Sequence, residues 1–174
     1  MVLGVTLLAA ASSGPALELA RDGRTAYVVE QAANATAAER FAAQELTNFL
    51  HRITGASFPV VAETNPAAGA PAVHVGHTAF AAAHGVDFAG LGEETWVLKT
   101  VGDDLILAGG RPRGTLYAVY EFLEACGGCR WVSHDLDIVP KQGGLRVPDL
   151  DQRGEPAFVW RTTSLYNRHD GGPD

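Results

Sequence analysis

The stretch from Leu105 to Trp131 constrains the fold of this chain most. It opens on a short apolar run, Leu105-Ile-Leu-Ala108, and turns through Gly109-Gly110-Arg111-Pro112-Arg113-Gly114. It then continues as Thr115-Leu-Tyr-Ala-Val-Tyr-Glu-Phe-Leu-Glu124. Leu116, Val119, Tyr120, Leu123 and Cys126 recur at three- and four-residue steps, the stripe of a helix lying on a sheet. Tyr117, Glu121 and Glu124 fall on the opposite side, toward water. Gly127-Gly128 ends the helix, and Arg130-Trp-Val132 begins another strand. Strand, turn and one-sided helix in succession require a sheet with a covered face.

The flanking segments fill in that sheet. Leu17–Ala20 and Thr25–Glu30 flank Asp22-Gly23, a strong tight-turn signal, so a hairpin is expected there. Thr36-x-x-Glu39 is a capping box. It predicts a first long helix from Ala37 to about Ile53, with Ala38, Ala42, Leu46, Phe49, Leu50 and Ile53 inward and Gly55 as its stop. Phe58–Ala62 reads as a strand that Pro59 confines to an edge. Ala72–Gly76 reads as a strand, followed by a short helical piece from Thr78 to His84. Glu94–Val101 and Asp104–Ala108 form a second hairpin about Gly102-Asp103. Asp137–Val139 and Leu145–Val147 are short strands. Two hairpins and two amphipathic helices predict an α+β fold: a mixed, mostly antiparallel sheet with both helices on one face.

Length and charge narrow the class. A chain of 174 residues that is 47% hydrophobic and 19% charged has enough apolar surface for a packed core. A net charge of −7 argues against nucleic acid and against an anionic membrane, which need clustered Lys and Arg. Residues 1–16 form an apolar run followed by small residues, too short to span a bilayer. They resemble the h-region and cleavage zone of a signal peptide without its charged n-region, so export is expected, with a buried β-strand as the alternative. The α+β domain is expected over 17–148, and the polar stretch 149–155 reads as a linker. Phe158-Val-Trp-Arg161 is a new apolar strand within 156–174, read as the start of a second domain.

No catalytic constellation stands out. Cys126-x-x-Cys129 closes a helix, where the dipole opposes thiolate formation, so a buried thiol or local disulfide is expected rather than a redox centre. His74, His77, His84 and Asp87 invite a metal reading, but His74 and His77 are three apart about a strand end and face different ways. Solvated or capping histidines are expected, and no metal or cofactor. Asp135 and Asp137 beside His134 read as a solvated loop rather than an acid–base pair. Gly109–Gly114 lacks the GxGxxG and P-loop signatures. It reads as a tight turn, with Arg111 and Arg113 as candidate contacts to a sugar acid or to a neighbouring domain.

Three motifs carry a resemblance: the helix Ala43-x-Glu-Leu-x-x-Phe-Leu-x-x-Ile-Thr-Gly55, the strand Val73-x-Val-Gly76, and the block from Arg113 through Cys129-Arg-Trp131. From residue 17 to about 161 the chain resembles the N-terminal accessory domain of family 67 (α-glucuronidase-type) glycoside hydrolases. The related domain of family 20 β-hexosaminidases is similar in layout. The resemblance implies a sheet with two helices on one face, followed by a TIM barrel that carries the catalytic carboxylates. This chain would then be non-catalytic and would buttress that barrel, with carbohydrate as the substrate of the whole. Arg161 stands where an Arg ends the first barrel strand of family 20 enzymes and binds sugar hydroxyls. There the Arg is followed by Gly and, five residues on, by Asp; here Thr162 and Tyr166 stand instead. The alternative reading is a stand-alone carbohydrate-binding module. Such modules expose aromatics, whereas Trp96, Trp131 and Trp160 lie in apolar strand-like runs, where burial is expected.

Overall fold

The computed structural model describes residues 16–63, 69–133 and 136–156. The signal-like segment, His134, Asp135 and the stretch holding Phe158–Arg161 lie outside them.

The first helix, α1 (Ala37–Thr54), forms as its capping box dictates. The Thr36 hydroxyl accepts from the Glu39 N–H, and the Glu39 carboxylate accepts from the Thr36 N–H. Gly55 stops the helix at φ 77°, a left-handed conformation that glycine adopts without Cβ strain. The helix of the Gly109–Gly114 block, α3 (Gly114–Ala125), packs beside α1 on the same face of the central sheet. Their shared core takes Leu46, Leu50 and Ile53 from α1 and Val119, Phe122 and Leu123 from α3, all fully buried. The inward stripe of α3 is turned slightly from the expected one. Thr115, Ala118 and Phe122 are buried, while Leu116, Tyr120 and Cys126 are only half-buried. Phe122, the bulkiest apolar group on the helix, takes the centre because burying it removes the most apolar surface from water.

Six strands make the central sheet: β2 (Val28–Gln31), β3 (Val60–Ala62), β4 (Ala72–Val75), β5 (Trp96–Val101), β6 (Asp104–Gly109) and β10 (Asp151–Gly154), in the order β10-β5-β6-β4-β2-β3. The hairpin of β5 and β6 forms as expected. β3 lies at the edge, as Pro59 required. The expected first hairpin does not form. Asp22 and Gly23 do make a tight turn, at φ 49° and 72°, but β2 enters the sheet between β4 and β3 with both its edges filled. β1 (Leu17–Arg21) therefore pairs instead with β9 (Gly144–Val147). The crossover through α1 makes β2 and β3 parallel, and β2–β4 and β4–β6 are parallel too. Among the described residues the remaining four pairings are antiparallel, including β7 (Arg130–Ser133) with β8 (Leu136–Ile138). The fold is thus α+β on a mixed sheet. Residues expected as linker also supply β10, which pairs antiparallel with β5 along the sheet edge.

Alternation along β6 separates two cores. Leu105 and Leu107 face the long helices, whereas Ile106 and Ala108 join Ala81 and Val86 on the far side, under the short helix α2 (Ala79–Ala83).

Candidate functional site

The Gly109–Gly114 turn is a packing device first. A Cβ on Gly110 would overlap the carbonyl oxygen of Gly92, and one on Gly109 would overlap the Gly114 carbonyl carbon. The turn aims Arg111 back across the sheet at Glu39. Arg111 Nε donates to Glu39 Oε1 and a terminal NH2 to Oε2, both at 3.0 Å. Glu39 is 1% exposed. Burial pushes its carboxyl pKa up, but the bonds from Arg111 and from the Thr36 backbone more than offset this and hold it below the usual value. Arg113 pairs with Glu94 at 2.6 Å. Both arginines expected at a sugar or domain contact are thus engaged within the domain, although Arg113 keeps 57% of its side chain exposed. Arg161 lies outside the described residues.

Opposite the long helices, three carboxylates surround a histidine. His74 on β4 is 4% exposed, not solvated as expected. Its Nδ1 lies 3.0 Å from Glu30 Oε2 on β2, and its Nε2 3.8 Å from Asp104 Oδ1 on β6. Phe80 of α2 stacks on the imidazole at 3.9 Å and 3°. Burial lowers the His74 pKa, against the pull of Asp104 and Glu63. Burial raises that of Glu30, with Glu63 and Asp104 adding to the shift. Glu63 at the end of β3 completes the group beside a cavity of about 500 Å³. The only hint in the sequence is Glu30 and His74, polar residues inside apolar strands; the pairing of β2 with β4, which sets them side by side, is non-local.

The other suspected ligands go elsewhere. His77 Nε2 contacts the Gly109 carbonyl at 2.9 Å and its ring stacks on Phe88. His84 Nδ1 contacts the Phe80 carbonyl, and Asp87 accepts from the Ala89 N–H. No group of three His, Cys, Asp or Glu among the described residues is placed to hold a metal ion. Cys126 and Cys129 are free thiols, both with pKa values raised by burial. Asp137 makes a two-point ion pair with Arg52.

On the helical side an apolar surface stands open. Trp131 on β7 packs edge-on against Phe49 and Tyr120 yet stays 37% exposed, which corrects the expected burial. Val132 is 60%, Leu136 52% and Ile138 53% exposed on the same hairpin.

The chain belongs to the glycosyl hydrolase family 67 N-terminus family, which it matches over residues 18–122. No curated protein sequence matches it. Among solved structures it is similar to the Streptomyces plicatus N-acetyl-β-hexosaminidase in complex with thio-NAglucal, at 13% identity and a TM-score of 0.55. It is likewise similar to the GH20 β-N-acetylhexosaminidase from Streptomyces coelicolor A3(2), at 14% identity and a TM-score of 0.56. Each match covers 85% of this chain but 25% of the hexosaminidase chain, so the chain spans about a quarter of their length. These likenesses establish the fold, and the family match makes this a glycoside-hydrolase-related domain. No helix among the described residues is long and apolar enough to cross a membrane.

Proposed function

We propose that this domain is a non-catalytic, N-terminal part of an exported glycoside hydrolase. It docks on a C-terminal catalytic barrel that begins near Phe158 and supports that barrel's active site. The observation that carries the reading is the exposure of Val132, Leu136 and Ile138 on the β7–β8 hairpin, whose other face sets Trp131 and Asp137 against α1. Large aliphatic side chains exposed together on one short hairpin mark a docking face. Exposed aliphatic side chains fit a protein surface better than a sugar ring, which calls for an aromatic face flanked by hydrogen-bonding groups. The signal-like residues 1–16 support export. Carbohydrate chemistry would then belong to the barrel, with Arg161 at its first strand end as a sugar contact and Arg113 near the domain junction.

The chain of 174 residues is assayed with aryl-glycosides and glucuronyl-xylo-oligosaccharides. No turnover above background is expected, and measurable hydrolysis would overturn the non-catalytic reading. Joined to its downstream barrel, the domain is expected to lose solvent exposure at Trp131, read as a blue shift and reduced quenching of its fluorescence. A saturable fluorescence shift with neutral chito-oligosaccharides in the isolated domain would instead favour the binding-module alternative.

A further inference from the structure

Residues 149–155 have the composition of a linker, and polar stretches of that kind are usually flexible. The structure holds them at every step. The Thr100 N–H donates to the Leu150 carbonyl at 2.9 Å, and the Leu150 N–H donates to the Thr100 hydroxyl at 2.9 Å. That hydroxyl donates in turn to Asp149. Leu150 is 5% exposed and belongs to the main core. From there Asp151, Gln152, Arg153 and Gly154 pair one for one with Lys99, Leu98, Val97 and Trp96 of β5.

In an antiparallel ladder hydrogen-bonded pairs alternate with unbonded ones. Thr100 and Leu150 are a bonded pair, so the next bonded pairs are Leu98 with Gln152 and Trp96 with Gly154. The N–H groups of Gln152 and Gly154 therefore point into the sheet, and those of Asp151 and Arg153 point out from its edge. The strand end is closed by shape as well. A Cβ on Gly154 would come 2.3 Å from Cζ2 of the Trp96 indole, so the ring and the backbone fit only because residue 154 has no side chain. Past it, Thr95 Oγ1 donates to Glu155 at 3.4 Å. The Thr95 carbonyl accepts from the Gly110 N–H, which ties the exit of the chain to the turn that launches α3.

We propose that β10 is a rigid coupling strand. It sets the direction in which the chain leaves the sheet, beside the Gly109–Gly114 turn, so that a domain following Glu155 is carried on the sheet edge rather than on a flexible tether. Gly154 and Trp96 are the lock at its end, and Leu150 is the anchor at its start. The charged side chains of Asp151 and Arg153 guard the open edge against pairing with another chain. The stiffness of β10 belongs to this domain; only its use by a catalytic barrel rests on the proposed function.

The test uses the whole chain, with backbone relaxation and amide hydrogen exchange read by NMR. Order parameters of about 0.85 are expected at Gln152 and Gly154, against less than about 0.6 for a tether. The amides of these two residues are expected to exchange at least about tenfold more slowly than those of Asp151 and Arg153, as the ladder requires. Gln152→Pro removes an inward N–H and is expected to free the strand, lowering the Gly154 order parameter toward the tether value. Arg153→Pro removes an outward N–H and is expected to leave it unchanged. Gly154→Val sets a branched side chain against the indole and is expected to release the strand end and move the Trp96 indole N–H resonance. Tether-like order parameters in the wild type overturn the proposal. So do equal effects of the two prolines, or a Trp96 resonance unmoved in Gly154→Val. None of these readouts depends on glycosidase activity, so a failure here is distinct from a failure of the proposed function.

Discussion

The carboxylate of Glu39 and the guanidinium of Arg111, 72 residues apart in sequence, meet in a two-point ion pair at 3.0 Å. The same carboxylate caps α1 through the Thr36 N–H. One buried acid therefore ties the start of α1 to the turn that launches α3, fixing the two covering helices to each other.

Removing one partner strands the other. A fully buried pair broken in this way costs about 3–5 kcal/mol. Arg111 is 39% exposed, so Arg111→Met is expected to cost roughly 2–3 kcal/mol at neutral pH after allowing for solvent screening. The sign with pH follows from Glu39. Its folded pKa is depressed, so its contribution is present above the unfolded value of 4.5 and is lost as pH falls through the lower folded value. Urea unfolding of both proteins is expected to show a gap that closes in acid. A constant gap down to about pH 3 would refute the ionic account.

His74 gives the opposite kind of test. Burial holds its pKa below the ordinary 6.5, so the unfolded chain takes up a proton that the folded chain resists. Stability falls on that account as pH drops through 6.5, by at most about 1.4 kcal/mol per pH unit. Glu30, whose folded pKa is raised, works against this closer to 4.5. The variant His74→Leu is therefore expected to gain on the wild type between about pH 7 and pH 5.5. Melting temperatures across that window read the difference directly, and parallel curves would contradict it.

What the sequence reveals here is mostly what is local. The capping box, the Gly55 stop and the hairpin about Gly102 each depend on residues within a few positions, and all form. The covering of one face by both helices follows from their apolar stripes. The partner of β1 was not legible, because Asp22-Gly23 fixes a turn but not which strand fills the edge of β2. The same holds for both buried acids. Glu39 reads as a capping residue, and nothing near it in sequence names Arg111. Glu30 meets His74 only because a parallel crossover sets β2 beside β4.

The three- and four-residue spacing places Tyr120 in the inward stripe, and its ring leans on Trp131. Its hydroxyl instead donates to Glu45 of α1 at 2.8 Å, a clasp between the two helices. Burial, then the bond to Glu45 and its charge, push its pKa up to about 12. Tyr120→Phe is expected to cost about 1 kcal/mol and to remove the latest tyrosinate transition in an alkaline absorbance titration. A titration curve unchanged at its alkaline end would show that the hydroxyl is free.

Two glycines separate the need for space from the need for an unusual backbone angle. Neither Gly110 nor Gly143 has a positive φ, so an alanine at either position meets no dihedral penalty. At Gly110 the added methyl would overlap the Gly92 carbonyl oxygen and lie 3.3 Å from that of Leu91. Both obstacles are backbone, and neither can rotate aside. The Gly110 N–H also donates to the Thr95 carbonyl, and its own carbonyl accepts from Gly114 at the start of α3, so relieving the overlap would pull the helix from the sheet. Gly110→Ala is expected to cost about 3 kcal/mol or more. At Gly143 nothing lies within 4 Å of the added carbon. Gly143→Ala is expected to stay within about 0.5 kcal/mol of the wild type, on the stabilising side because the unfolded chain loses freedom. Denaturant midpoints for the two variants measure the contrast, and similar losses in both would show that close approach at the turn is not what selects Gly110.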